Sequence, residues 1–404
     1  MKKLIKIIVL LLVMVVGCGF TVHAQEQESY TYQGYGYKIL SNGTIEITSY
    51  QDPNYAYDEE DPNLESKITI PSTIDGRKVT KIASRVFYRN GYLSEITIPD
   101  SVVSIGKEAF YGCEYLEKVK LPKNLKVISE GMFENSYLSE VNIPASVEKI
   151  EKLAFYKGLN YSITTLKIPS SVKQIGDFAF ANCINLEKIT ISNGVEKIGS
   201  HAFENCYRLK EIKFPSSVTK IGSYALKDCM ALKKLTLSKN APTIDDGIFQ
   251  NCNSLKEVKI PKGVKKINYK AFENCTSLKT LTISNTVTQI GYGSFQDCVK
   301  LESVVIPNSV KKMGEEVFYN CKKLKKVTLS KNLTSINWGM FSDCVNLKEV
   351  TIPSKITKIE KNAFFECKKL SLVKYNSSMK KWKKIKVEGN NTYLKKAKIK
   401  TGGK

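Results

Sequence analysis

Histidine is nearly missing from this sequence. Two of the 404 residues are His, at 23 and 201, and only His201 remains if an N-terminal signal is removed after Ala24. One imidazole supplies neither a catalytic triad nor a histidine metal cluster. Phe178, Tyr224 and Lys270 hold its place in equivalent stretches, which makes it a surface filler. Cysteine pairs at metal spacing are missing too. None of the eleven Cys forms a Cys-x2–4-Cys pair, so no zinc site is expected. Negative charge is scarce: 39 Asp and Glu stand against 62 Lys and Arg, a formal +23. The acids are scattered through variable positions, with no break in the pattern to form a cleft around a carboxylate pair. The acidic run Asp58-Glu59-Glu60-Asp61 lacks the spacing of a calcium loop and reads as a solvated loop. These absences leave no catalytic residue, metal or cofactor to expect.

Residues 1–24 combine Lys2, Lys3 and Lys6 with an apolar run from Ile7 to Val16 and a short polar end. That is the layout of an export signal, and the run is short for a membrane span. Val22-His23-Ala24 fits cleavage before Gln25. Val15-Val16-Gly17-Cys18 loosely fits a lipobox, which would instead anchor a lipoprotein at Cys18 and is the one route to a membrane. Either way the chain leaves the cytoplasm, secreted or held at the cell surface. The positive charge then points away from nucleic acid and toward an extracellular protein, an anionic glycan or the cell's own wall.

What the sequence has in abundance is one sentence rewritten. Residues 201–223 read HAFENCYRLKEIKFPSSVTKIGS, and 270–292 read KAFENCTSLKTLTISNTVTQIGY. An aromatic or leucine anchor recurs thirteen times from Phe87 to Phe364, 23 residues apart except for 22 before Phe155 and 25 after it. After an anchor such as Phe203 come Cys206, Leu209 and Ile212, a period of three that suits a helical or 3₁₀-like turn. Ile212-Lys213-Phe214 then alternates as a short strand does, and Pro215 ends it. Val218 and Ile221 mark a second extended piece. Gly222, like Gly106 and Gly199, follows the Ile at a sharp corner and is expected there for its left-handed backbone. No rung buries its apolar side alone, so the chain is an α/β repeat solenoid of about thirteen rungs with nearest-neighbour contacts. Nine of the Cys, from Cys183 to Cys367, recur at 23-residue intervals at an inward position. They read as a reduced, buried ladder of small hydrophobes rather than as disulfides, since Asn90, Ser136 and Gly158 fill the same place elsewhere.

The pattern AFxNCxxLKxVxIPxSVxxIG, as in Ala179 to Gly199 and Ala271 to Gly291, resembles the BspA-like leucine-rich repeats of bacterial surface proteins. The resemblance implies a leucine-rich-repeat solenoid, export, adhesion to host or neighbouring-cell molecules, and no catalytic residues. No sortase-type motif accompanies it. The boundaries are then a signal at 1–24, an N-terminal cap at 25–66 with a hairpin around Asn42-Gly43 and the acidic loop, the solenoid at 67–373, and a Lys-rich C-terminal cap at 374–404. The cap at 25–66 carries nine acids against one Lys, and the tail from Lys374 eleven Lys against one Glu.

Two binding surfaces follow as expectations. The outward residue of the first strand forms a row holding Lys167, Thr190, Lys213, Thr236, Lys259 and Thr282, a face suited to an acidic protein patch or an anionic glycan. Lys380, Lys381, Lys383 and Lys384 form a cluster that is either a polyanion contact or a solubilising charged cap. An envelope scaffold held electrostatically to anionic wall polymers is the alternative to an adhesin.

Overall fold

The computed structural model of the chain describes residues 29–51, 66–159 and 162–402. The expected export signal, Cys18 and the expected acidic loop lie outside them. The chain forms two compact units, Met1–Asn160 and Tyr161–Lys404. They divide where the anchor spacing departs from 23. Each unit is a parallel β-solenoid built from the same rung.

One rung of the second unit shows the local logic. Strand Glu211–Lys213 pairs in parallel with Lys234–Thr236 one rung on. Ile212 and Phe214 are buried and Lys213 is exposed. Pro215 has no N–H to extend the ladder, and its carbonyl accepts from Val218 N at 3.1 Å to turn the chain. Strand Lys220–Ile221 then pairs with Lys197–Ile198 of the rung before. The period-three segment that follows is a chain of turns rather than a helix. Lys227, Cys229 and Leu232 each donate to the carbonyl three residues back, at 3.0–3.2 Å. Tyr224 and Asp228 sit in the left-handed region at φ 59° and 62°, which stops helical propagation on either side of Leu226. The freed N–H groups point along the stack. Tyr224, Leu226 and Asp228 donate to Asp246, Ile248 and Gln250 of the next rung at 2.8–3.0 Å. Each rung is therefore laddered on three sides, which satisfies its backbone. The described helices are confined to the C-terminal cap, at Met379–Trp382 and Thr392–Lys396.

The left-handed positions are not where the sequence placed them. They lie two residues before and two after the anchor, as at His201 and Asn205 (φ 57° and 59°). Asn and Asp tolerate this conformation, and they bond one another rung to rung, as Asn274 Nδ2 does to Asn251 Oδ1 at 2.9 Å. Gly222 is not left-handed. A Cβ there would stand 2.4 Å from Ser200 N, so the constraint is the close approach of successive backbones.

Inside, the anchors form aromatic stacks. Phe272 lies 5.1 Å from Phe249 and 5.4 Å from Phe295, with planes within 19°, and each ring is fully buried. The ten described thiols are free and buried. They also act as hydrogen-bond donors. Cys229 Sγ donates to Phe203 O at 3.3 Å, and Cys344 Sγ to Phe318 O at 3.1 Å. Ser136 Oγ does the same to Phe110 O. Where the position holds Cys or Ser it is a small hydrogen-bond donor, and at Gly158, where a Cβ would stand 2.4 Å from Phe133 O, it has no side chain at all. Burial pushes the Cys206 thiol up to about 12, so it remains protonated at any physiological pH.

Both ends are finished with non-repeat pieces. In the first unit Tyr35–Ile39 and Ile45–Tyr50 form the antiparallel hairpin around Gly43. Its second strand runs parallel to Arg77–Ile82, and the Tyr50 ring lies 5.2 Å from Phe87, tilted by 40°. In the second unit the C-terminal tail supplies one more, irregular rung. Lys386–Val387 extends one sheet and Lys398–Thr401 the other. Asn391 is 1% exposed, and its Oδ1 accepts from Phe364 N at 2.9 Å, the bond that a carbonyl of the next rung supplies elsewhere.

Candidate binding surface

The first strand of each rung presents outward the residue that follows its inward Ile, Val or Leu, as Lys213 follows Ile212. In the second unit Lys167, Thr190, Lys213 and Thr236 stand exposed on one four-stranded parallel sheet, with Lys167 beside Thr190 and Lys213 beside Thr236. Lys259 and Thr282 are exposed neighbours on a two-stranded sheet. The sequence-derived row therefore exists as a surface, in two sections.

The row is hollowed at two places. In the second unit an open groove of about 610 Å³ runs over Lys188, Thr190, Glu211 and Lys213 to the turn residues Asn193 and Ser216. In the first unit a groove of about 640 Å³ occupies the equivalent place, over Lys118, Lys120, Glu140 and Asn142, with Asp100 and Lys123 at its rim. The turn residues escaped the sequence reading, since they vary from rung to rung and only the fold brings them over the strands.

Charge on this face is mixed and partly paired. Lys234 lies 3.8 Å from Glu211 and Lys259 3.0 Å from Glu257. Glu349 receives Lys374 at 2.8 Å and Lys326 at 3.1 Å, and these bonds, Lys374 foremost, hold its carboxyl below the usual range. Such alternation suits a protein surface of both signs better than a uniform polyanion.

At the C-terminus Lys380, Lys381, Lys383 and Lys384 are exposed on and just after Met379–Trp382. Ser378 caps this single turn by accepting from Lys381 N at 3.4 Å, and Trp382 meets Tyr375 edge-on at 5.2 Å. The four ammonium groups make no ion pair among the described residues.

The pattern of the BspA type leucine rich repeat region matches residues 54–161, 159–279 and 242–371. The chain belongs to this family. BspA-type repeats are a protein-interaction fold, and the solved structures that resemble this one include bacterial leucine-rich repeat proteins. A leucine rich cell surface protein from Faecalibacterium prausnitzii is 25% identical, with 89% of this chain and 98% of that one aligned at a TM-score of 0.52. A leucine-rich repeat protein from Bacteroides ovatus is 21% identical, covering 92% and 99% at 0.50. The pneumococcal vaccine antigen PcpA is 20% identical, covering 93% and 98% at 0.53. No curated protein matches. Within this BspA-type chain His201 is more than a filler. Its ring stacks 4.5 Å from Phe178 and 5.1 Å from Tyr224, with Nδ1 2.8 Å from Glu204. That aromatic stack on a variable position is visible only once the rungs are in register.

Proposed function

We propose that this protein is an exported, non-catalytic surface protein. It binds an extracellular protein of a host or neighbouring cell through the outward face of its first sheet. The observation that carries the reading is the groove over Lys188, Thr190, Glu211 and Lys213, set on a face whose charges alternate in sign. The family and the cell-surface relative support it. Envelope attachment through Lys380, Lys381, Lys383 and Lys384 is the second reading, favoured by their exposure and lack of ion pairs among the described residues. The test is binding of the purified protein to matrix proteins, sulfated glycans and isolated cell wall, each at low and physiological salt. Saturable binding to one protein at physiological salt, weakened at least tenfold by Lys213→Glu with Thr190→Glu, is expected. Binding to wall alone, lost as salt rises, would discard the adhesin in favour of an envelope scaffold.

A further inference from the structure

The second strands of the rungs in the Tyr161–Lys404 unit, set in successive short sheets, carry a different surface. From Gln174 to Met313 each two-residue strand ends on a buried Ile or Met, and the residue before it is exposed except at Thr243, which is half-buried. Lys197, Lys220, Lys266 and Lys312 hold that outward place. One position earlier, Lys173, Lys265 and Lys311 are exposed as well. Among the described residues none of these seven lysines makes an ion pair. Glu196 is the one acid at either position from 173 to 312, with Asp177, Asp245, Asp246 and Glu315 at the corners that follow. Lys197 and Lys220 face each other in register on adjacent strands. Like charges so placed destabilise a ladder; Asp245 offsets Lys220 in part, but no carboxylate pairs with these lysines as Glu257 and Glu349 pair with lysines on the first strands.

We propose that this lysine strip is a docking surface for a linear sulfated polysaccharide, lying across the strands along the stack. From the rung of Lys173 to that of Lys312 the strip crosses seven rungs, about 30 Å at roughly 4.8 Å per strand. Charge complementarity selects a polyanion. The strip has lysines and no arginine, so it offers point charges suited to tetrahedral oxyanions rather than planar forks suited to carboxylates. Gln174, Thr219, Thr243, Thr288 and Gln289 stand exposed or half-exposed between the lysines, able to bond sugar hydroxyls. Aromatic residues are absent from both outward positions in this stretch, and the corner tyrosines Tyr269 and Tyr292 stack on each other, so the strip offers no row of platforms for the successive bases of a single-stranded nucleic acid. The strip is separate from the first-sheet groove and from the C-terminal lysines, so one molecule would hold a glycan and a protein on different faces.

The test uses the full chain and dextran sulfate, with uncharged dextran as control. Bound dextran sulfate raises the melting temperature of the native protein, because a ligand of the folded state stabilises it, and its binding weakens as salt rises. The variant Lys197→Gln/Lys220→Gln/Lys266→Gln/Lys312→Gln binds at least tenfold more weakly, melts no lower without ligand, and loses the shift. Lys167→Gln/Lys213→Gln/Lys259→Gln and Lys380→Gln/Lys381→Gln/Lys383→Gln/Lys384→Gln stay within threefold of the parent. Undiminished binding by the strip variant, or an equal loss in either control variant, overturns the assignment. Equal or tighter binding of polyphosphate or oligothymidine overturns the choice of a sulfated polysaccharide.

Discussion

At the scale of the residue, the repeat is held by side chains that do two jobs. The ladder cysteines fill a tight inward position and donate to the anchor carbonyl of the preceding rung. Cys229 is the second donor to Phe203 O, after Cys206 N at 3.3 Å. Cys229→Ser keeps a donor and a size that Ser136 already shows to work. Cys229→Val keeps the apolar volume and loses the donor, so it should cost about 1 kcal/mol more than Ser, the usual worth of one hydrogen bond. Urea unfolding of both variants measures this, and a valine variant at least as stable as the serine one would remove the donor from the account.

At the scale of the element, the ends of the stack decide what must be capped. Within each unit the interior turn segments pass their N–H groups to the next rung, as Phe318 N does to Met340 O. The last one has no next rung, and Asn391 closes it by accepting from Phe364 N and donating to Glu360 O and Glu388 O at 2.9 and 3.0 Å. Asn391→Ala leaves a buried N–H unpaired and should cost about 1–3 kcal/mol. The loss should concentrate in the terminal rung, where amide exchange around Phe364 quickens while that around Phe272 does not. Asn391→Asp retains the acceptor and should fall between the parent and the alanine variant. Uniformly faster exchange would show that Asn391 is not a local cap.

At the scale of the molecule, nearest-neighbour stacking makes whole rungs interchangeable and partial ones not. Deleting 270–292 removes one rung and brings Phe295 to the register of Phe272, so both sheets and the turn ladder can re-form. Such a protein should keep its far-ultraviolet circular dichroism per residue and melt cooperatively. Deleting 270–281 removes half a rung, sets strand against turn, and should yield aggregate. If the half-rung deletion behaved like the full one, the 23-residue register would not be what organises the fold.

The rung was readable from residue order alone. Its period, the inward anchors, the strand-ending proline and the capping hairpin were legible because each depends on residue type at fixed spacing, and apolar burial repeats where the type repeats. The outward row from Lys167 to Thr282 was legible too, since alternation in a strand needs only the pattern. Relations between rungs were not. The corner glycine was expected for its backbone handedness, whereas the reason for it is a neighbouring backbone 2.4 Å from any Cβ. The cysteine looked merely small, and its acceptor lies 26 residues away. The stack at His201, the cap at Asn391 and the grooves over the first sheet each join residues that no local pattern links. Local chemistry sets what a rung is. Which charges are paired, which carbonyls are filled and which faces stay open were decided only when each rung met the next.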